Sequence, residues 1–237
     1  MVDMESLAPQ PTMVEQAYRA LLDAICAGRL EPGVRLTQDS VAEQLDVSRQ
    51  PVLQALSLLK QQRFLVDAGK RGLMVAPLDR RFIRWIYELR LSIEPVAVSL
   101  AADLATRNDL ARGNQLVRRG LEALRGGTLD DVIEADMRFH MYVYEVSGNH
   151  LFVDTMDHLW NHLRRSMREV LQHREYRNAI WSEHAAIQRA IGSHDSRKAA
   201  ELIRAHLVSA ASSVQLALPE AITGVARPAK LNRSASR

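Results

Sequence analysis

The sequence predicts a mainly α protein: an N-terminal winged helix-turn-helix followed by an all-α, antiparallel bundle of about six helices. Three observations carry that expectation. Two short helical patterns meet at Asp46-Val47, two β-prone runs flank a glycine-containing basic tip, and six amphipathic periodicities follow one another from residue 81 to 218. The expected boundaries are a disordered N-terminus at 1–11, a winged helix at 12–76, a linker at 77–80, the bundle at 81–218 and a disordered tail at 219–237.

The first helix starts at Thr12, buries Val14, Ala17, Tyr18, Leu21, Leu22 and Ile25, and stops at Gly28 and Pro32-Gly33. In the next helix Thr37 stands at the N-cap, and Val41, Ala42 and Leu45 face inward. Ser48 can cap the helix after it, where Pro51 falls in the first turn and its missing N–H costs little. Val52, Ala55, Leu56 and Leu59 then repeat at i, i+3, i+4 and i+7, which leaves Arg49, Leu53, Ser57 and Lys60 on the opposite face with Gln50 beside them. A helix-turn-helix offers such a face to the DNA major groove. The runs 64–66 and 73–75, separated by Asp67 to Gly72, read as a wing with Lys70 and Arg71 at its tip. The plainer alternative is an α-hairpin with no nucleic-acid role.

The 237 residues suffice for two domains with cores of their own. One cysteine, Cys26, excludes an internal disulfide framework, reads as a buried small residue, and fits a reducing cytoplasm. No signal-peptide pattern opens the chain and no apolar run approaches the roughly 20 residues of a spanning helix, so no membrane partner is expected. The formal charge of +3 resides entirely in the tail, where Arg227, Lys230, Arg233 and Arg237 outnumber Glu220 by three. The overall charge therefore says nothing for DNA binding; the placement of Arg49, Lys60, Lys70 and Arg71 does.

The bundle helices are expected at 81–106, 108–125, 129–147, 151–174, 176–193 and 196–218, with a kink or cavity at Pro95. Polar residues interrupt several apolar stripes. Asp136 and His140, at i and i+4, continue the stripe through Ile133 and Val143, while His184 lies among Ile180, Ile187 and Ile191, and His206 among Leu202, Ile203 and Ala210. Unpaired burial of such groups is costly, and i, i+4 spacing is how a helix offers two ligands to one metal. A set of hydrogen-bonded core histidines is the competing reading. Asp154, His158 and His162 share the same spacing, yet Phe152, Met156, Leu159, Leu163 and Val170 hold that helix's stripe, so His158 and His162 are expected on its flank or surface. His150, His173 and His194 are expected in solvent near helix ends. Arg90 flanks the stripe Phe82, Ile86, Leu89, Ile93, either as a fork for a carboxylate or as a surface pair with Glu94.

PG-x-RL at 32–36, VSR-x-PV at 47–52, AL-x-x-L at 55–59 and the hairpin ending at Val75 together resemble the winged helix of the GntR superfamily. The resemblance implies DNA contacts from Arg35, Ser48, Arg49, Gln50, Leu53, Lys70, Arg71 and Gly72. It continues into the second half: LRLSIEPVAVSLAA at 89–102, D-x-x-F-H at 136–140, EH-x-x-I at 183–187 and the late His206 resemble the FCD ligand-binding domain of the FadR-like branch, with a helix count closer to the VanR type. That resemblance implies a divalent metal held by Asp136, His140, His184 and His206, with Arg90 near an effector pocket. A small organic acid commonly completes the coordination in such domains. Three imidazoles and one carboxylate suit Zn, Ni, Mn or Fe(II) alike.

Three positions depart from the family pattern. Leu53 stands where an arginine is usual, Gln38 where glutamate is common, and Arg63 where a glycine precedes the wing. The function expected is a homodimeric, metabolite-responsive transcriptional regulator of a double-stranded DNA operator, and not an enzyme. A metal-dependent enzyme using the bundle's open site is the alternative, but no base or nucleophile motif accompanies the histidines. A protein-interaction module is a third reading.

Overall fold

A computed structural model describes residues 10–69, 72–172 and 174–218. Lys70, Arg71, His173, the first nine residues and the tail from 219 lie outside the described residues, and with them the expectations for the wing tip and the tail.

The N-terminal unit is built on α1 (Met13–Cys26), α2 (Gln38–Leu45) and α3 (Arg49–Gln61) with β1 (Arg35–Leu36), β2 (Leu65–Asp67) and β3 (Leu73–Val75). Thr12 and Glu15 form a reciprocal capping box on α1, and Thr37 accepts the amide of Ser40 at the start of α2. Asp46 ends α2 in the left-handed region at φ 51°. Ser48 does occupy the N-cap of α3, but contrary to expectation its side chain makes no cap bond. The strands pair antiparallel in the order β1-β3-β2, with Leu65 opposite Val75 and Arg35 opposite Met74. The short β1 was not legible as a strand. It adds a third row to the wing, and the turn closes by Ala68 N–H donating to the Gly72 carbonyl at 3.1 Å, with Gly69 and Gly72 at positive φ. Val52, Ala55, Leu59 and Val75 are fully excluded from solvent.

Six helices follow: α4 (Arg80–Leu104), α5 (Arg107–Gly126), α6 (Leu129–Val146), α7 (His150–Val170), α8 (Arg174–Gly192) and α9 (Ser196–Ala217). Capping boxes start α5 (Thr106, Asp109) and α6 (Thr128, Asp131), while Asp79 starts α4 by accepting the amides of Arg81 and Phe82. Helix α4 continues through Pro95, which is buried. No helix among the described residues is long and apolar enough to cross a membrane.

Helices α5 and α8 approach closely because two glycines one heptad apart lack side chains. A Cβ on Gly113 would meet the Gln188 amide at 2.4 Å, and one on Gly120 would meet the Trp181 ring at 2.0 Å. Trp181 is fully buried and sets its edge against His184, 4.9 Å between centroids. Gly120→Ala is therefore expected to destabilise the chain by about 1–3 kcal/mol through overpacking. Urea unfolding followed by circular dichroism measures it; an unchanged midpoint would show that Trp181 has somewhere else to go.

The two cores meet along α7, and here the expectation for His162 is corrected. His158 is exposed, but His162 is buried under the winged helix, stacked on Phe64 at 4.0 Å and 7°, edge-on to Phe82 at 4.9 Å, and 2.9 Å by its Nε2 from the Gln62 carbonyl. The apolar stripe of α7 faces its own bundle, and the side read as a flank faces the other domain. Arg165 is buried too, donating to the Ala76 carbonyl at 2.6 Å, while Arg164 pairs with Asp23 at 3.3 Å. Burial, then the charges of Arg165 and Arg63, hold His162 down at about 4, against an ordinary value near 6.5. Between those values the unfolded chain binds a proton that the folded chain refuses, so this stability is full above about pH 6.5 and lost as pH falls towards 4. His162→Phe should accordingly narrow the drop in urea midpoint between pH 7.5 and pH 5. Equal drops in both chains would refute the assignment.

Candidate metal centre and nucleic-acid interface

The polar residues of the bundle collect at one place. Helix α6 supplies Asp136 and His140 one turn apart, α8 supplies His184 and α9 supplies His206, and all four are buried. The ligand atoms of His140, His184 and His206 lie within 4.8 Å of one another. Asp136 Oδ1 is 3.5 Å from His184 Nε2, without hydrogen-bond geometry.

The outer partners orient two of the rings. Glu94 Oε2 is 2.9 Å from His140 Nδ1, and Glu183 Oε2 is 2.7 Å from His206 Nδ1. An ionised carboxylate only accepts, so each Nδ1 carries the proton and each Nε2 keeps its lone pair, as in a carboxylate–histidine–metal arrangement. His184 differs: neither of its nitrogens has a partner, and Asp136 Oδ1 is likewise unpartnered. A fully buried imidazole with both nitrogens unsatisfied is expensive. A divalent cation among these four residues would satisfy His184 and Asp136 together, with His140 and His206 within reach of it, so the donor set fits a metal. Burial, then the Glu94 and Arg90 charges acting in opposite senses, leave His140 below the ordinary histidine value; burial, then the His206, His140 and Arg90 charges, push His184 well below it. Both are the neutral form a metal needs.

Arg90 lies inside the core, not beside it. The buried face of α4 runs through Ile83, Tyr87, Arg90, Glu94, Ala97 and Ala101, rotated from the expected stripe, so Arg90 and Glu94 are 2% and 1% exposed. The pair expected at i, i+4 does form, 2.5 Å from Nε to Oε1, but it is buried, and the surface reading is wrong. Glu94 also accepts the Tyr144 hydroxyl at 2.6 Å, Arg90 stacks over Trp160 at 4.8 Å, and an Arg90 terminal nitrogen is 3.2 Å from His140 Nε2. Burial alone would raise the Glu94 carboxyl; Arg90 and then His140 outweigh it and hold the group well below the carboxylate range. Glu94, Tyr144 and Glu183 were missed as site residues. Glu94 shares the stripe of Arg90 and Glu183 precedes His184, which are the signals that point to them. Of the rival cluster, His162 is engaged with the winged helix, while Asp154 and His158 are exposed.

At the other end, Arg49, Gln50 and Leu53 are exposed on α3, Ser48 precedes them, and Arg35 is exposed on β1 with Gly72 at the end of the wing turn. Arg49 Nε pairs with Asp39 of α2 at 2.8 Å, both side chains about seven-tenths exposed.

A winged helix joined to an all-helical domain defines a class of two-domain DNA-binding regulator. The comparisons specify it. Residues 13–75 match the bacterial regulatory proteins of the gntR family and residues 85–209 the FCD domain, so the chain belongs to the FCD-containing branch of the GntR regulators. It is 26% identical over 194 residues to the HTH-type transcriptional regulator YdhC of Bacillus subtilis, spanning 81% of this chain and 86% of that one. The HTH-type transcriptional repressor RspR of Escherichia coli is 25% identical over 209 residues, spanning 88% and 92%. In fold the chain is similar to E. coli McbR/YncC (TM-score 0.75, 21% identity, 87% and 99% coverage) and to a GntR regulator from Rhodococcus sp. RHA1 (TM-score 0.77, 24% identity, 87% and 99%). The protein is a transcriptional regulator and not an enzyme.

Proposed function

We propose that this regulator is a homodimer that binds a double-stranded operator through α3 and the wing, and that its bundle holds a divalent ion on Asp136, His140, His184 and His206 beside a small organic acid that changes operator affinity. The observation that carries the reading is buried His184, unpartnered at both nitrogens beside an unpartnered Asp136 oxygen. When bound, the ion supplies a Lewis-acidic position for a carboxylate; the chain's residues orient the imidazoles and exclude water. Arg90, reached from that position, links it to α4, and α4 leads directly from the wing. Trp160 packs on Arg90 and His140, and two residues on His162 packs on Phe64, so α7 offers a second path to the DNA head.

An effector shifts operator affinity only by its differential affinity for the two arrangements, and DNA changes effector affinity by the same factor. An effect of at least about fivefold, roughly 1 kcal/mol, is expected. Titrating operator with the metal-loaded chain, with and without an acid already shown to bind, tests it; unchanged operator affinity at saturation would leave a DNA-binding protein without a sensing role.

On the DNA side, Arg49 exchanges an exposed ion pair of little worth for a base or phosphate. Arg49→Ala is expected to weaken operator binding by about 1–3 kcal/mol, with the loss concentrated at one base pair of each half-site if it reads guanine. Binding curves on operator and base-substituted operators measure this, and coincident curves for variant and wild type would remove Arg49 from the reader.

A further inference from the structure

A cavity of about 50 Å³ adjoins the cluster, lined by Arg90, Asp136, Glu183 and His206 at one end. A water-sized group needs about 10–15 Å³ of such space, so the cavity against the cluster takes about four non-hydrogen atoms. Its remaining walls are mostly apolar, Met167, Val170, Leu171, Ile180 and Val214 among them, with Tyr87 beside Arg90. Two serines also reach it, and Ser213 already donates to the Ser209 carbonyl at 3.1 Å.

The charges constrain the occupant further. Among the described lining residues Arg90 is the one cation, and it is committed to Glu94. One guanidinium against Asp136, Glu94 and Glu183 leaves a net charge of −2 around the imidazoles, which a divalent ion cancels. A monocarboxylate then leaves one excess negative charge; a dicarboxylate leaves two, with no free cation among the described lining residues to meet the second. An aliphatic tail, by contrast, gains roughly fourfold in affinity per buried methylene until the space is full.

We propose that the cavity selects a short aliphatic monocarboxylate, with an uncharged tail of about two to four carbons, and rejects di- and tricarboxylates. The inference rests on the reading that the bundle binds a metal and an acid. It is tested on the full chain loaded with Zn²⁺ and checked for the ion by elemental analysis, by calorimetric titration with acetate, butyrate, isovalerate, octanoate, succinate and citrate. Butyrate or isovalerate is expected to bind at least tenfold tighter than succinate, citrate and octanoate. Succinate, citrate or octanoate binding as tightly as butyrate overturns the proposal and leaves the metal-and-acid reading standing. A chain that takes up no Zn²⁺, or a loaded chain that binds no acid, overturns that reading and the proposal with it. Ile180→Lys, on a half-buried wall position, separates charge from size: it should raise succinate affinity relative to butyrate about tenfold, and an unchanged ratio in a variant that still binds butyrate overturns the charge argument.

Discussion

Replacing Arg90 by methionine is expected to destabilise the bundle by about 3–5 kcal/mol, because it strands the Glu94 carboxylate at 1% exposure with no counter-ion. Adding Glu94→Gln to the same chain should recover part of the loss, since an amide still accepts from Tyr144 and carries no charge. The pH dependence has a definite sign. In the wild type the Glu94 carboxyl is depressed, so its contribution is present above the unfolded value near 4.3 and is lost as pH falls through the folded one. Without Arg90 that depression goes and burial favours the protonated acid, so the gap between variant and wild type narrows as pH falls. Urea midpoints at pH 7 and 4.5 for the three chains measure all of this. A single variant within 1 kcal/mol of wild type would mean that solvent reaches Glu94.

Removing the metal is expected to have the next largest effect. An ion present at about 100 times its Kd stabilises the folded chain by about 2.7 kcal/mol, which corresponds to a fall of roughly 5–10 °C in melting temperature on chelation. His140→Ala and His206→Ala should purify without stoichiometric ion and show no chelator effect. Affinity should hold through the ordinary imidazole value near 6.5 and weaken only at lower pH, because burial keeps His140 and His184 neutral in the unbound chain. Elemental analysis and melting curves with and without EDTA decide it; full retention in both variants would exclude this set of ligands.

Much of this was legible in the sequence because helical period and capping are local. The six bundle helices, the turn at Asp46-Val47 and the inward placing of Asp136, His140, His184 and His206 all follow from which residues interrupt apolar repeats. The buried face of α4 was misplaced by about one residue, because Phe82, Leu89 and Ile93 look like better core than Arg90 and Glu94 when no partner is in view. Whether an i, i+4 ion pair is exposed or buried depends on what α6 and α7 bring to it, and local spacing holds no information on that. His162 shows the same limit: its ring belongs to a second core interface that no periodicity of α7 reports. Gly113 and Gly120 look like weak points in α5, and become intelligible only once Gln188 and Trp181 stand against them.

The contact between the two domains carries a consequence for how such a regulator changes its operator. His162 reaches the Gln62 carbonyl, Arg165 the Ala76 carbonyl and Arg168 the Cys26 carbonyl at 3.5 Å, so part of the bundle's grip on the head is on main-chain oxygens that any sequence presents. Head side chains take part as well, in the Phe64 stack, the Asp23 pair, the Cys26 thiol donating to the Asn161 carbonyl at 3.4 Å and Arg63 over the Phe82 ring, none of them on the outward row of α3. Substitutions at Gln50 or Leu53 thus leave the domain junction untouched, and operator preference can drift without disturbing it.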